Sequence, residues 1–248
     1  MSLDTELLSP GGLVGAAVHR RATNMVTTGF SIISPADFGP LVPDSDLVAF
    51  QAFWDDLPLD EELADGGTYR HRRYGRLRVD STSGELTFAT LPHATFRQDA
   101  SHIPLYSGRE RTFAPAADEV LLHPAMRALV GFDVSVALAV EATVPAWLVN
   151  LHLVRVVARS DSPGLPTPEG RHRDGHAYVA MHLLRRDCGG GDSIVYRDGV
   201  EPTRLTLQRP LDSLMVDDDA VMHEVTPVSA RPDGDGIRDM LLVDINPA

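Results

Sequence analysis

A histidine and an aspartate separated by one residue, His172 and Asp174, are the first candidates for chemistry in this chain of 248 residues. In an extended segment, residues two apart point to the same side, so this imidazole and this carboxylate can converge on one ion. Two ligands leave a metal site incomplete, and a second histidine must arrive from another strand. His223 is a suitable candidate because it opens a later β-type run, just after the acidic turn Asp217–Asp219.

Two histidines and one carboxylate on one face of an octahedron form the facial triad of non-haem iron(II) oxygenases. Such a triad leaves coordination positions open for a bidentate 2-oxo acid and dioxygen. Arg238 opens the last β-type run, and its planar guanidinium could bind the far carboxylate of 2-oxoglutarate through two hydrogen bonds. The alternative for His172 and Asp174 is a solvated loop pair, since His-x-Asp arises by chance in a chain with ten histidines.

The composition excludes several reaction classes. All 22 basic residues are arginines, so the protein has no lysine for a Schiff base, a P-loop or a kinase active site. With 35 acidic residues the formal net charge is −13, which disfavours nucleic acid or an anionic membrane surface as a partner. Any side chain that holds a 2-oxo acid by its far carboxylate must then be an arginine.

Cysteine usage and hydropathy indicate the compartment. Cys188 is the only cysteine, so an intrachain disulfide and four-thiolate zinc or iron–sulfur sites are excluded. The first residues show no signal-peptide pattern, and we expect a cytoplasmic protein. The apolar stretch Val134–Val149 is interrupted by Glu141 and Pro145 and is too short to cross a bilayer, so no membrane segment is predicted.

The elements that would position these residues are of two kinds. In the first part of the sequence, apolar spacing predicts helices from Asp46 to about Asp56 and over Ala117–Val130. A β-hairpin is predicted between Tyr69 and Leu91, with its turn at Ser83-Gly84. Two acidic clusters, Asp55–Asp65 and Asp217–Asp219, are expected to face solvent.

The second part of the sequence is a series of short β-type runs separated by Gly, Pro and Asp clusters, which is typical of a sandwich or small barrel. These runs are Trp147–Val157, Gly175–Leu184, Ser193–Tyr196, Arg204–Gln208, Leu211–Val216, Val221–Pro227 and Arg238–Asn246. We predict a single domain, 1–248, in which a mixed α/β part (about 1–145) packs on the β-rich core (about 146–248).

Several sequence blocks, taken in order, resemble the 2-oxoglutarate/iron dioxygenase family that includes bacterial L-isoleucine dioxygenase. The resemblance runs from about Tyr69 to Asn246 and is strongest in the last hundred residues. The blocks that carry it are GLPTPEGRHRDGH (164–176), LLRR (183–186), GGDS (190–193), DDDAVMHEVTPV (217–228) and GIRDMLLV (236–243), with looser matches at RRYGR (72–76), GRERTFAP (108–115) and VNLHLVR (149–155).

This resemblance implies a mainly β fold with flanking helices, built on a double-stranded β-helix, the jelly-roll or cupin-like core. It implies that His172, Asp174 and His223 bind Fe(II), and that Arg238 binds the C5 carboxylate of 2-oxoglutarate. Family members use dioxygen to hydroxylate unactivated C–H bonds in the side chains of free L-amino acids, and succinate and CO2 are the co-products. We therefore expect an amino-acid hydroxylase, and the oligomeric state does not follow from the sequence.

Four further residues are candidates for substrate binding. Arg111 is the candidate for the amino-acid carboxylate, with a surface ion pair as its alternative. Asn150 and His152 share one side of a strand and could face the site, or could be ordinary polar positions on a half-buried strand. His176 could line the pocket, although a hydrogen-bonded histidine of the barrel explains it as well.

One position departs from the pattern of many 2-oxoglutarate enzymes, in which the arginine that binds 2-oxoglutarate is followed two residues later by a residue with a hydroxyl group. Met240 stands there, so a hydroxyl partner for Arg238 must come from elsewhere. Tyr178, Ser193, Tyr196 and Thr226 are the candidates.

Two other functions are compatible with the same residues. The first is a hydroxylase that acts on a protein-bound or carrier-tethered residue. The second is a non-catalytic jelly-roll protein that retains the metal site for sensing or structure.

Overall fold

The computed structural model describes residues 14–82, 85–98, 105 and 109–248, in which strands predominate over helices. The α-helices are α1 (Gly15–Thr28), α2 (Pro35–Phe38), α3 (Asp44–Gln51), α4 (Asp118–Leu121) and α5 (Pro124–Val140). The strands are β1 (Phe30–Ile33), β2 (Arg70–Thr82), β3 (Glu85–Thr90), β4 (Phe96–Arg97), β5 (Glu110–Arg111), β6 (Ala146–Ala158), β7 (Tyr178–Asp187), β8 (Gly189–Gly190), β9 (Ser193–Tyr196), β10 (Thr203–Leu205), β11 (Ser213–Asp217), β12 (Met222–Val225), β13 (Val228–Ser229) and β14 (Gly236–Pro247).

Seven strands form one antiparallel sheet in the order β1-β11-β7-β14-β6-β2-β3. Because successive side chains of a strand point to opposite faces, the long strand β14 serves two surfaces. Leu241 and Val243 pack in the hydrophobic core on the helical side. Arg238, Met240 and Leu242 line a cavity on the other side.

Helices α1 and α5 cover the first face of this sheet, where they share one core with its strands. Helix α5 is apolar around most of its circumference, and 11 of its 17 residues are buried. A helix with this pattern is stable only when neighbours surround it. Nothing among the described helices is both long enough and apolar enough to cross a membrane.

A smaller sheet, β10-β9-β12, faces the second side of the large sheet. Val195 of β9 packs there with Met181 of β7 and Met240 of β14. The large sheet and the small one thus form the two layers of a double-stranded β-helix, with a cavity between them. The predicted fold class is confirmed.

The predicted helices are present with different bounds. The first begins at Asp44 and passes into a 3-10 turn over Ala52–Trp54. The second is divided, because Pro124 cannot continue a helix that precedes it. The sequence therefore restarts there as α5, where the Nδ1 atom of His123 accepts a hydrogen bond from the Ala125 amide (3.2 Å).

The predicted β-hairpin is confirmed as β2 and β3, whose register pairs Leu77 with Thr90 and Thr82 with Glu85. Its turn, Ser83-Gly84, lies outside the described residues. The seven predicted β-type runs correspond to β6, β7, β9, β10, β11, β12 and β14. Helix α1 and strand β1 were not predicted, because Gly, Ser and Pro occur among the short apolar runs of this part of the sequence. The helical spacing of Ala17, Val18, Ala22 and Met25, which are buried on one face of α1, was a signal for that helix.

The expectation that both acidic clusters face solvent is wrong for one residue in each. Asp60 is 3% exposed, because its carboxylate accepts a hydrogen bond from Arg70 Nε (2.7 Å) and lies 3.4 Å from Arg72 Nε. Asp218 is 1% exposed and is bound to the metal-site loop. A carboxylate with several donors can be buried, since its lost hydration is replaced.

Candidate active site

Strand pairing brings the three predicted metal ligands together. His172 and His223 form an antiparallel bridge in which each backbone N–H donates to the other's carbonyl (3.0 Å both ways). The Nε2 atom of His172 lies 3.6 Å from Asp174 Oδ1, and that of His223 lies 3.3 Å from Asp174 Oδ2. These three residues are the one group of potential ligands within the described part of the protein whose ligand atoms all lie within 4.8 Å of one another.

The orientation of His172 suits a ligand that binds through Nε2. Its Nδ1 atom lies 2.8 Å from the Gly170 carbonyl, so Nδ1 carries a proton and Nε2, which faces Asp174, is the nitrogen that would bind a metal after losing its own proton. Burial alone would lower the pKa of His172, but the carboxylates of Asp174 and Glu169 raise it to about 9. Burial likewise opposes ionisation of Asp174, yet the two histidines hold its pKa well below the ordinary value.

Asp218 holds the loop that carries Asp174. Its Oδ1 accepts from the Asp174 amide (3.1 Å), and its Oδ2 accepts from the amides of Gly175 (2.6 Å) and His176 (3.3 Å). Gly175 adopts φ +85°, a conformation that favours glycine and that turns the loop toward Asp218. The Asp174 side chain is therefore fixed by the backbone of its own turn.

Two imidazoles and one carboxylate, clustered at the wall of a cavity, fit a divalent iron that keeps positions open for other ligands. The donor set contains no thiolate, which distinguishes it from structural zinc sites. The residues on this wall therefore suit Fe(II).

Arg238 is a buried cation in the cavity wall. Its side chain is 3% exposed, and no hydrogen-bond or ion-pair partner for it is found among the described residues. Burial lowers the pKa of its guanidinium to about 10, so the group stays charged at neutral pH. A buried cation without a counterion is costly unless a ligand provides one, and a carboxylate is the geometric match.

Gly191 makes room for that arginine. A Cβ atom at this position would lie 3.2 Å from Arg238 Cδ and 2.9 Å from Val228 Cγ1, and the residue has φ +70°. Of the hydroxyl candidates for Arg238, two are engaged by carboxylates: Tyr178 donates to Glu141 (2.6 Å) and Tyr196 donates to Glu224 (2.5 Å).

The other two hydroxyl candidates differ in their partners. Thr226 Oγ1 accepts from the Asp192 amide (2.9 Å). Ser193 is 2% exposed, and its Oγ has no hydrogen-bond partner within the described residues. Ser193 thus has the free hydroxyl, and it lies two residues beyond Gly191 on the strand that faces the large sheet.

Arg111 lies in the cavity wall and not on the surface. It is 2% exposed, its guanidinium lies 5.2 Å from the Phe96 ring and 5.3 Å from the Phe113 ring, and it donates to Gln98 Oε1. Gln98 in turn donates through Nε2 to Asp174 Oδ1 (2.9 Å). A series of contacts therefore leads from Arg111 to the proposed metal ligand.

His152 also lines the cavity, and Asp244 connects it to His176. The Oδ2 atom of Asp244 lies 3.2 Å from Nε2 of each histidine. Burial lowers the pKa of His152 to about 4, whereas Asp244 outweighs burial and raises the pKa of His176 to about 9. The cluster thus holds one imidazolium, one neutral imidazole and one carboxylate. Asn150 is absent from the cavity lining and accepts from Tyr74 (2.8 Å).

Four residues at this site escaped the sequence analysis as functional candidates. Gln98, Glu169 and Asp244 line the cavity, and Asp218 holds the metal-site loop. Glu169 and Asp218 lie within the recognised blocks, so position in a motif was a signal for them. Gln98 contacts Asp174 across 76 residues of sequence, and nothing local marks it.

Comparison with known proteins shows the family of this chain. The model of the 2OG-Fe dioxygenase family matches residues 51–244, which include every site residue named above. The 3(1)-hydroxy-L-isoleucine 4-dioxygenase of Pantoea ananatis is 27% identical over 180 residues, which cover 70% of this chain and 71% of that protein.

Solved structures give the same picture of the fold. A BsmA homologue from Methylobium petroleophilum PM1 superposes with a TM-score of 0.83 at 29% identity, over 93% of this chain and 96% of that one. IDO from Bacillus thuringiensis has the same fold, with a TM-score of 0.75 at 23% identity over 92% and 95% of the two chains. Because the family model matches more than half of its length, the chain belongs to the 2OG-Fe dioxygenases, non-haem iron enzymes that use Fe(II) and 2-oxoglutarate.

Proposed function

We propose that this enzyme hydroxylates an unactivated C–H bond in the side chain of a free L-amino acid in the cytoplasm. The observation that carries the proposal is a cavity that combines a facial triad with buried charged groups and an apolar wall. A free amino acid has a carboxylate and an ammonium that suit such charges, and an aliphatic side chain that suits the wall. The similarity to an enzyme that acts on a hydroxylated isoleucine supports this substrate class.

His172, Asp174 and His223 would hold Fe(II), and Arg238 would hold the C5 carboxylate of 2-oxoglutarate. When bound, the iron and 2-oxoglutarate supply the oxidising power, and dioxygen is consumed as succinate and CO2 form. The side chains between these groups exclude water, because the cavity is apolar over much of its wall. The apolar residues that β7, β12 and β14 contribute to this wall are Val179, Met181, Val225, Met240 and Leu242.

Arg111 is the candidate for the substrate carboxylate, because its guanidinium lies in the cavity wall and is linked through Gln98 to Asp174. His152 lines the same wall, with Asp244 fixing its ring. Asn150 and His176 would act indirectly, by holding residues close to the cavity: Asn150 accepts a hydrogen bond from Tyr74, and His176 contacts Asp244. Binding the substrate in the reactive orientation lowers the activation free energy, because the loss of orientational entropy occurs on binding and not in the chemical step.

A screen of succinate release tests the proposal. The enzyme, loaded with Fe(II) and supplied with 2-oxoglutarate and dioxygen, is incubated with each proteinogenic L-amino acid. We expect at least one amino acid to stimulate succinate formation and to gain one oxygen by mass spectrometry. His172→Ala should abolish both signals, whereas His19→Ala, at an exposed position of α1, should retain them.

The competing functions give different results in the same screen. A hydroxylase of carrier-tethered residues would respond only when the amino acid is presented on its carrier. A binding protein would bind metal tightly without decarboxylating 2-oxoglutarate under any condition. Failure of every free amino acid would reject the proposed substrate class.

A further inference from the structure

The loop before His172 carries a buried carboxylate that neither the metal site nor the 2-oxoglutarate site uses. Glu169 lines the cavity, and its side chain is 12% exposed. Its Oε2 atom is inaccessible to solvent and has no hydrogen-bond partner among the described residues. A buried carboxylate without a donor is costly, so a partner that arrives with a ligand is expected.

The one contact of Glu169 does not satisfy it. Its Oε1 atom lies 3.6 Å from His172 Nε2. Because Nδ1 of His172 faces the Gly170 carbonyl, Nε2 is the atom available to the metal and then carries no proton to donate. With the metal in place, both oxygens of Glu169 lack a donor from the described protein.

The other cavity carboxylates are already engaged. Asp174 belongs to the triad, and Asp244 lies 3.2 Å from two histidines. Glu169 therefore differs from both in having an oxygen without a hydrogen-bond partner among the described residues, on a side chain that lines the cavity. Arginine ion pairs do not compensate for this, because none is found with Glu169 in the described residues.

The backbone fixes Glu169 beside the metal ligands. Thr167 Oγ1 donates to the Val225 carbonyl and accepts from the Val225 amide, both at 3.0 Å. Gly170 closes the turn by donating to the Thr167 carbonyl (3.0 Å) and adopts φ +74°. Tied at both ends, this turn holds the Glu169 side chain against the cavity as part of the same strand-like segment that carries His172.

Charges of opposite sign thus flank the triad. Glu169 lies beside His172, and Arg111 is linked through Gln98 to Asp174. A molecule that carries both an anionic and a cationic group complements these two charges. An α-amino acid has this form, and the carbons of its side chain are only a few bonds from both groups.

We propose that Glu169 binds the α-ammonium group of the substrate and thereby selects free amines over other 2-substituted acids. This inference rests on the proposed function and names the group that recognises the substrate. Amide-linked residues, including those in a polypeptide, lack that cation and leave Glu169 buried without a partner. The site is therefore specific for amino acids with an unblocked nitrogen.

The test compares the best amino acid of the screen, with L-isoleucine tried first, with its 2-hydroxy acid, in which a hydroxyl replaces the ammonium. We expect Glu169→Gln to raise KM for the amino acid by about 10- to 100-fold, as for loss of a charged hydrogen bond. The preference for the amino acid over the hydroxy acid should shrink by a similar factor. Glu169→Asp, which keeps the charge, should retain most of the preference.

Two further measurements separate this role from others. Metal affinity, followed by titration under anaerobic conditions, and KM for 2-oxoglutarate should both stay within about threefold of wild type. Glu224→Gln is the matched control, because Glu224 lies against the same turn, 3.8 Å from where a Gly170 Cβ would be, yet outside the cavity lining. Thermal unfolding of each variant verifies that it is folded.

Each result has a distinct meaning. A large loss of metal affinity in Glu169→Gln would make Glu169 a metal ligand and overturn the inference. An unchanged KM and preference, in a protein whose wild type hydroxylates a free amino acid, would overturn the inference and leave the proposed function intact. No turnover of any amino acid by the wild type would reject the proposed function, and the inference with it.

Discussion

At the scale of single residues, the cavity holds two charged groups that the described protein leaves without a full set of partners, Arg238 and Glu169. Buried groups of this kind reduce the stability of the ligand-free protein. They increase affinity for a ligand that brings the missing partner, because the cost of desolvation has been met during folding. Their positions therefore indicate where a ligand carboxylate and a ligand cation would bind.

Replacement of Arg238 by Gln should raise KM for 2-oxoglutarate by about 10- to 100-fold, since a charge-assisted hydrogen bond contributes roughly 1.5–3 kcal/mol. The same change should not lower the Tm of the ligand-free protein, because it removes an uncompensated buried cation. Steady-state kinetics and calorimetry check both outcomes. Arg204→Gln is the control, because Arg204 is exposed and pairs with Asp192. A normal KM in Arg238→Gln would contradict the assignment.

At the scale of elements, the triad depends on pairing between segments that are distant in sequence. The bridge between His172 and His223 aligns two imidazoles, and the Asp218 turn orients the carboxylate between them. Each of these supports acts through backbone hydrogen bonds, so a change in a non-ligand residue can displace a ligand.

Asp218→Asn should lower metal affinity by about 10- to 100-fold, the usual effect of losing an outer support of a metal ligand. An amide has one acceptor oxygen, and its NH2 group would face backbone amides that also donate. Isothermal titration with Mn²⁺ or anaerobic Fe²⁺ measures the change. Asp219→Asn, at the exposed neighbouring position, should bind metal like wild type. Equal affinity in both variants would show that the turn does not position Asp174.

The segment before β2 depends on a buried carboxylate, that of Asp60. Burial alone would raise the pKa of Asp60, but Arg72 and Arg70 outweigh it and hold the pKa below its ordinary value of 3.8. The Asp60 carboxylate thus connects the segment before β2 to Arg70 and Arg72, two β2 residues that lie in the cavity wall.

Asp60→Asn should destabilise the protein by about 3 kcal/mol at pH 7, because buried guanidinium groups lose a counterion. Since the pKa of Asp60 is lower in the folded state, its stabilisation is complete above the unfolded pKa of about 4 and is lost as the pH falls through the folded value. The difference between variant and wild type should therefore be constant from pH 8 to about 5 and narrow below about pH 4. Urea unfolding at several pH values measures it. A difference independent of pH would refute the ionic contribution.

At the scale of the whole molecule, the seven-stranded sheet has the main hydrophobic core on one face and the cavity on the other. Its first face packs against α1 and α5 to form the main core, and its second face, with the small sheet, forms the cavity. Strand β14 contributes alternate residues to both, so the core that holds the strand also fixes Arg238 and Asp244. Ligands that bind the cavity should therefore stabilise the entire fold.

Metal and 2-oxoglutarate, each at about 100 times its Kd, should each stabilise the folded state by about 2.7 kcal/mol through mass action. For a protein of this size that corresponds to an increase in Tm of about 5–10 °C for each ligand. Calorimetry of the EDTA-treated protein, with ligands added back anaerobically, measures the increase. His172→Ala should lose the response to metal, and Arg238→Gln should lose at least half of the response to 2-oxoglutarate while keeping the response to metal. Identical shifts in all three proteins would place binding elsewhere.

The sequence alone determined the type of chemistry and the main elements. His172, Asp174, His223 and Arg238 are identifiable because a metal site and a carboxylate clamp require particular side chains, and those occur in ordered blocks. The strands of the second half follow from alternation and turn residues, which are local signals. Helix bounds were less accurate, because Pro124 divided a continuous apolar pattern.

Only the tertiary structure decided which polar groups are satisfied and which are free. Gln98 contacts Asp174 and Asp60 pairs with Arg70, although nothing in local sequence distinguishes these two residues from solvated ones. Asp218 lies in a recognised block, but only the structure shows that its carboxylate binds the backbone of the loop that carries Asp174. Glu169 acquires its significance in the same way, from the absence of a donor in the described structure around it. The physical reason is that residue type sets what a group can bind, whereas burial and partners are set by packing between segments distant in the sequence.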